Sequence, residues 1–84
     1  MNYCERIPAK TENISLDGKN VKIDTEGLEA TVAATGGTVY IKAVSECADA
    51  DAFALEKGGC ITLNGCFYLS GNGAAASVLY CRII

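Results

Sequence analysis

Tight glycine turns divide this chain into short segments in which apolar and polar residues alternate. Asp17-Gly18, Gly36-Gly37 and Asn64-Gly65 each stand between two such segments. These residues accept the positive φ that a two-residue hairpin turn requires, and the alternation is typical of strands with one buried face. Further turns at residues 56–59 and 70–73 bring the total to about seven or eight short strands. We therefore predict an all-β fold, a small antiparallel β-sandwich or jelly-roll-like barrel whose strands are joined by tight glycine hairpins.

The first two turns are predicted to form hairpins that each have one apolar face. A two-residue turn at Asp17-Gly18 pairs Leu16 with Lys19, and the shared apolar face is then Ile14, Leu16, Val21 and Ile23. At Gly36-Gly37 the same geometry predicts an apolar face made of Leu28, Ala30, Val32, Ala34, Val39, Ile41 and Ala43. Its opposite face is polar and carries Glu29, Thr31, Thr35, Thr38, Tyr40 and Lys42. Such a division is typical of antiparallel pairs that are packed on one side and solvated on the other.

The third turn gives a less regular pattern. A two-residue turn at Asn64-Gly65 places Leu63 opposite Cys66 and leaves apolar side chains on both faces of the hairpin. This mixture favours a central position in a sheet or a second contact surface. The same register puts Cys60 and Cys66 on opposite faces, so we do not expect a disulfide between them.

Length and composition indicate one small folded domain. The chain has 84 residues, half of them hydrophobic and 20% charged, whereas disorder requires low hydrophobicity and high net charge. Residues 12–84 are predicted to form a single β domain. Residues 1–11 contain the one proline, Pro8, and show no alternation, so they are predicted to be an N-terminal arm.

Several classes of function are disfavoured by composition. The chain has no histidine, so mechanisms that use imidazole as a base or as a metal ligand are excluded. The net charge is −3 and the basic residues are scattered singly, which argues against a nucleic-acid partner. We expect no membrane association, because no apolar run approaches the roughly 20 residues of a membrane span. The first residues lack a secretory signal, and we expect cytoplasmic synthesis.

Cysteine is abundant, and we expect it to be structural. The five cysteines include no C-x-x-C pair, and an odd number without a secretory signal favours free thiols that are buried as small apolar groups. Their positions are Cys4, Cys47, Cys60, Cys66 and Cys81. Glu46, Asp49 and Asp51 could offer oxygen ligands to calcium, but their spacing is not that of an EF-hand loop, so a solvated acidic connection is expected. We predict no catalytic, metal-binding or cofactor-binding residue, no cofactor and no enzyme activity.

Three tyrosines are the candidate interface residues. Tyr40, Tyr68 and Tyr80 lie within predicted strands, and simple alternation places Tyr40 and Tyr80 on faces away from the core. Tyrosines exposed in the middle of strands often anchor interfaces, because they add contact area at a low entropic cost. Ordinary half-buried surface tyrosines remain the alternative.

Most of the chain resembles a known group of proteins. Asp17-Gly18 to Ile23, with Glu29 to Val32 and Gly36-Gly37 to Ile41, resembles the small β-rich virion proteins of tailed bacteriophages and prophages. The C-terminal part, from Leu55 through Phe67-Tyr68-Leu69 to Tyr80, is similar to their closing strands. The resemblance covers about residues 14–84 and brings no catalytic or binding motif. It implies a structural role in a virion, such as head decoration or a tail or fibre component, usually as a symmetric oligomer.

Our leading hypothesis is therefore a non-enzymatic structural or interaction protein, a phage or prophage virion component that acts through self-association and lattice binding. The partners expected are copies of itself and a larger protein assembly. Two alternatives stay open: a protein- or carbohydrate-binding β module, and a small phage-encoded inhibitor of a host protein.

Overall fold

Eight strands and one short 3-10 helix make up the described part of the chain, as the all-β prediction requires. The computed structural model describes residues 6–83, and for Arg6 the backbone only. The 3-10 helix covers Asp49–Asp51 and lies between the fourth and fifth strands. The strands are β1 (Arg6–Asp17), β2 (Val21–Asp24), β3 (Glu29–Gly36), β4 (Val39–Lys42), β5 (Phe53–Leu55), β6 (Cys60–Leu63), β7 (Cys66–Ser70) and β8 (Asn72–Ile83).

The strands form two antiparallel sheets with the topology of a jelly roll. Sheet A has the order β1-β8-β3-β6 and sheet B the order β2-β7-β4-β5. The chain is one long hairpin, since β1 pairs with β8, β2 with β7, β3 with β6 and β4 with β5. Rolling this hairpin up adds the pairs β3·β8 and β4·β7, which complete the two sheets. Of the two predicted forms, a small antiparallel β-sandwich or a jelly-roll-like barrel, the sandwich is confirmed, and its strand order is that of a jelly roll.

The three predicted glycine hairpins are wrong, because these turns lead from one sheet to the other. β1 and β2, β3 and β4, and β6 and β7 are each divided between the two sheets. Backbone hydrogen bonds connect these turns to other turns at the ends of the sandwich. Gly18 N donates to Gly71 O at 2.7 Å and Thr25 N donates to Gly65 O at 3.0 Å, so turns distant in sequence lie side by side.

The faces predicted for the first two turns survive this change of pairing, except that Ala43 is exposed. Whether a turn folds a strand back beside itself or carries it to the facing sheet, every second residue still points to the core. Sheet B contributes mostly large core residues and sheet A many small ones. The buried core is Leu16, Ile23, Ala30, Val32, Ala34, Val39, Leu55, Phe67, Leu69, Ala74, Ala76, Val78 and Tyr80.

The predicted N-terminal arm is in part a strand. Residues 6–11 belong to β1 and pair with β8, while residues 1–5 lie outside the described part of the chain. The pairing is irregular between Pro8 and Lys10, and this bulge interrupts the alternation by which a strand is recognised in sequence. β1 and β8 are each 12 residues long and account for the 41 Å long axis of the molecule.

Candidate functional site

The outward side of sheet B, here called outer face B, is covered by the connection between β4 and β5, residues 43–52. Lys42 and Ser70 alternate with core residues and so point outward, yet they are only 6% and 3% exposed. Asn20 fastens the start of the connection, because its Nδ2 donates to the Ser45 carbonyl at 2.9 Å. This face is therefore closed over part of its area.

A carboxylate in the connection secures it. Lys42 Nζ lies 2.7 Å from Asp49 Oδ1, and Ser70 Oγ donates to the same oxygen at 2.9 Å. Lys42 also donates to Asn20 Oδ1 at 3.2 Å. The hydrogen bond from Lys42, followed by that from Ser70, lowers the pKa of Asp49 below its usual value of 3.8. The acidic segment expected to be a solvated connection is thus attached through one of its acids.

The outward side of sheet A, here called outer face A, is open and uncharged at its centre. Its side chains form two rows that cross all four strands, because the registers of the three strand pairs are aligned. In row one, Ser77 Oγ donates to Asn13 Oδ1 at 2.6 Å, and in row two the Thr31 and Thr62 hydroxyls are 3.0 Å apart. Row one is Asn13, Ser77, Ala33 and Cys60, and row two is Thr11, Leu79, Thr31 and Thr62.

A shallow groove of about 490 Å³ runs along these rows. The rows contain no charged side chain in a chain that is 20% charged, and the nearest carboxylate of β3, Glu29, stands one row away. The sequence analysis missed this surface because it needs the pairing of β8 with β1 and β3, which join the ends and the middle of the chain. The available signal was the run of uncharged residues at alternate positions 31–35 and 75–79, all of them small except Leu79.

A second, smaller opening lies between the sheets. It has a volume of about 220 Å³ and is lined by the core-facing residues Ile41, Leu63 and Phe67, with Asn64 and Cys66 also contributing. Ile41 and Leu63 are only partly buried against the core at this end. The space suits a small apolar group, but it contains no cluster of polar groups that could perform chemistry.

The three candidate tyrosines are not brought together. Tyr40 and Tyr68 lie half-buried on outer face B, where Tyr68 is opposite Lys22 in β2 and Lys42 in β4. Tyr80 belongs to the core of sheet A. The structure thus gives the set no common surface.

The expectation that Tyr80 points away from the core is wrong. Its side chain is 2% exposed, and its hydroxyl donates to Glu12 Oε1 at 2.7 Å. Burial, assisted by this hydrogen bond, raises the pKa of Tyr80 to about 12. The alternation of β8 misleads because its core-facing side begins with the small residues Ala74 and Ala76, while its outward side carries the larger Leu79.

The four cysteines that the structure describes are free, but they are not all buried as expected. Cys60 and Cys66 are exposed, Cys47 is intermediate and Cys81 is buried, whereas Cys4 lies outside the described residues. Cys60 is exposed because it is at an outward position of β6 in outer face A, and Cys66 is at an outward position of β7 in outer face B.

Within residues 6–83, no three His, Cys, Asp or Glu side chains come together as a possible metal site. In the same residues no helix is long and apolar enough to cross a membrane. Comparison of the chain with protein-family models, with curated proteins and with solved structures gives no significant match.

Proposed function

We propose that this protein is a non-enzymatic structural component of a phage or prophage virion, and that it docks onto the larger assembly through outer face A. The observation that carries the proposal is the pair of uncharged rows along an open groove. Charged residues are depleted at the centres of protein interfaces, because a charge that loses its water there must find a partner. Small side chains on a sheet also allow close approach of a flat partner surface.

The fold supports the same function. Jelly rolls recur in viral capsid and lectin domains. Outer face B is the less suitable contact surface, because residues 43–52 already cover part of it and Lys22 and Lys42 flank Tyr68 there. A module that acts through its shape requires a rigid face, and a face built on β1, β8, β3 and β6 is held by ladder hydrogen bonds on both sides of its central strands.

The two exposed thiols allow a direct test, since Cys60 reports on outer face A and Cys66 on outer face B. Particles are purified from a culture that produces this chain, alkylated under native conditions and analysed by mass spectrometry. We expect the chain in the particles, with Cys60 protected relative to the free protein and Cys66 still reactive. Absence of the chain from particles would refute the virion role, and reactive Cys60 in assembled particles would refute docking by outer face A.

A matched pair of variants completes the test. Ala33→Lys places a charge in the middle of row one without removing a hydrogen bond, and Ala54→Lys places the same charge on the exposed edge strand β5. We expect Ala33→Lys to be lost from the particles and Ala54→Lys to be incorporated. Equal incorporation of the two folded variants would contradict the proposal.

A further inference from the structure

One of the four sheet edges differs from the others. The edges of the two sheets are β1, β6, β2 and β5, and each of these strands has a paired neighbour on one side only among the described residues. β2 and β6 are four residues long and β5 three, whereas β1 has 12 residues. Short edge strands prevent unwanted pairing because they offer few free backbone groups. That protection is missing from β1.

Up to Leu16, the protective features of β1 lie between Pro8 and Glu12, and none follows Glu12. Pro8 lacks a backbone N–H, and the bulge between Pro8 and Lys10 distorts the strand there. From Lys10 to Leu16 the pairing with β8 is regular, and no proline or glycine occurs. The two charged residues of this stretch are engaged with Tyr80, since Lys10 Nζ lies 4.6 Å from its ring centroid and Glu12 accepts a hydrogen bond from its hydroxyl. The free backbone groups of the regular stretch are therefore open to another strand.

We infer that a second copy of this chain pairs antiparallel with β1, about a two-fold axis at Ile14. In a closed two-fold dimer the same strand of both copies pairs with itself. Residues opposite each other in this register are both even-numbered or both odd-numbered, so the two outer faces A lie on the same side of the joined sheet. In this register Ile14 meets its own copy, Asn13 opposes Ser15, and Thr11 opposes Asp17. Ile14 is half-buried against the core, and its symmetry mate would cover the part that remains exposed.

Registers centred earlier in the strand are less favourable. Centring the axis on Glu12 would oppose two carboxylates directly, and like charges opposite each other destabilise a strand pair. Centring it on Thr11 would place Ile14 against Pro8 and bring the bulge into the ladder. Centring it on Asn13 would oppose Ile14 to Glu12. The register at Ile14 keeps the two copies of Glu12 apart and the bulge out of the ladder, and it places Glu12 opposite Leu16, which is already 1% exposed.

The consequence is an eight-stranded continuous sheet with outer face A on one side. The dimer leaves Cys60 free, because β6 is at the edge of sheet A remote from β1. This inference rests on the proposed function, since it supplies the self-association that a virion component needs, but the two can fail separately. Cys60 protection reports on docking, and the properties of β1 report on the dimer.

Sedimentation equilibrium of the purified chain tests the inference, with two variants and one control. Ser15→Lys brings two lysines into diagonal contact across the axis and replaces the Ser15 that opposes Asn13 of the second copy. We therefore expect the dimer dissociation constant to be about tenfold higher than that of the unchanged chain. Adding Asn13→Glu to Ser15→Lys opposes unlike charges in this register, and we expect dimerisation to recover. Ala54→Lys, on the β5 edge, should dimerise as the unchanged chain does.

Amide hydrogen exchange followed by NMR gives the second measurement. In the dimer, every second amide from Thr11 to Asp17 should change from fast to slow exchange as the protein concentration rises. A chain that stays monomeric at millimolar concentration overturns the inference. So does a dimer in which these amides remain fast or Ser15→Lys has no effect.

Discussion

Tyr80 offers a quantitative test of the packing at one end of the core. Tyr80→Phe keeps the ring and removes only the hydroxyl that donates to Glu12 at 2.7 Å. A hydrogen bond to a charged acceptor contributes about 1.5–3 kcal/mol, but Glu12 is exposed and regains water when the hydroxyl is lost. We therefore expect Tyr80→Phe to lower the free energy of unfolding at neutral pH by about 1–2 kcal/mol.

The same residue makes stability depend on alkaline pH. Burial, with the Glu12 hydrogen bond, raises the pKa of Tyr80 from 10.0 to about 12 in the folded protein. A raised folded pKa means that the stabilisation is complete below the unfolded pKa and is lost as pH rises toward the folded value. At about 1.4 kcal/mol per pKa unit, the full loss is about 3 kcal/mol, of which about 2 kcal/mol falls between these two pH values. Tyr80→Phe has no phenol to ionise at this position, so its stability curve should cross that of the wild type.

Urea unfolding of both proteins across this pH range, followed by circular dichroism, measures the crossing. The difference between the two curves isolates Tyr80 from other groups that titrate at high pH. Tyr68→Phe is the matched control, since it removes a phenol from outer face B rather than from the core. Parallel curves for wild type and Tyr80→Phe up to the folded pKa would show that Tyr80 is solvated, and the reasoning on the core would be refuted.

Three further predictions concern the turns, the connection and the thiols. Gly37→Ala and Gly65→Ala both force alanine to a positive φ, but only at Gly37 would the new Cβ approach a neighbouring alanine, at 3.2 Å. Gly37→Ala should therefore lower the free energy of unfolding by about 1–3 kcal/mol more than Gly65→Ala does. Because the pKa of Asp49 is lowered, the stabilisation that its carboxylate contributes is present above pH 3.8 and is lost as pH falls through the pKa of the folded protein. Asp49→Asn should therefore make the free energy of unfolding, measured by chemical denaturation, depend less on pH in this acid range. In native alkylation followed by mass spectrometry, Cys60 should react rapidly and Cys81 only upon unfolding; rapid labelling of Cys81 in the folded protein would contradict its burial.

The faces of most strands could be predicted from sequence, but the face of β8 and the strand pairs could not. For Asp17-Gly18, the alternation of Leu16 and Val21 fits a hairpin and a crossing between sheets equally well, because both arrangements bury the same positions. The turn at Asn64-Gly65 did carry a distinguishing signal. A hairpin there mixes apolar and polar residues on both faces, whereas a crossing lets Phe67 and Leu69 face the core as they do.

The surfaces required knowledge of contacts between distant residues. The burial of Lys42 depends on Asp49, which alternation places in a polar connection, and on Ser70, which is 28 positions further along the chain than Lys42. Outer face A depends on β8 lying between β1 and β3, a result of rolling the whole chain. Local patterns in the sequence indicate which side of a strand is exposed to solvent, but they do not indicate which strands lie next to one another in a sheet.

The difference between the two outer faces follows from the path of the chain. In a long hairpin that is rolled up, the tip is the connection between β4 and β5, and both of these strands belong to sheet B. A tip of ten residues, 43–52, is long enough to fold back, and its attachment to Lys42 and Ser70 places it on outer face B. The other connections described here span one to four residues and pass between sheets at the ends of the sandwich, where they cannot reach outer face A. One face is therefore covered in part by the chain itself, whereas the face opposite, which is uncharged at its centre, stays open.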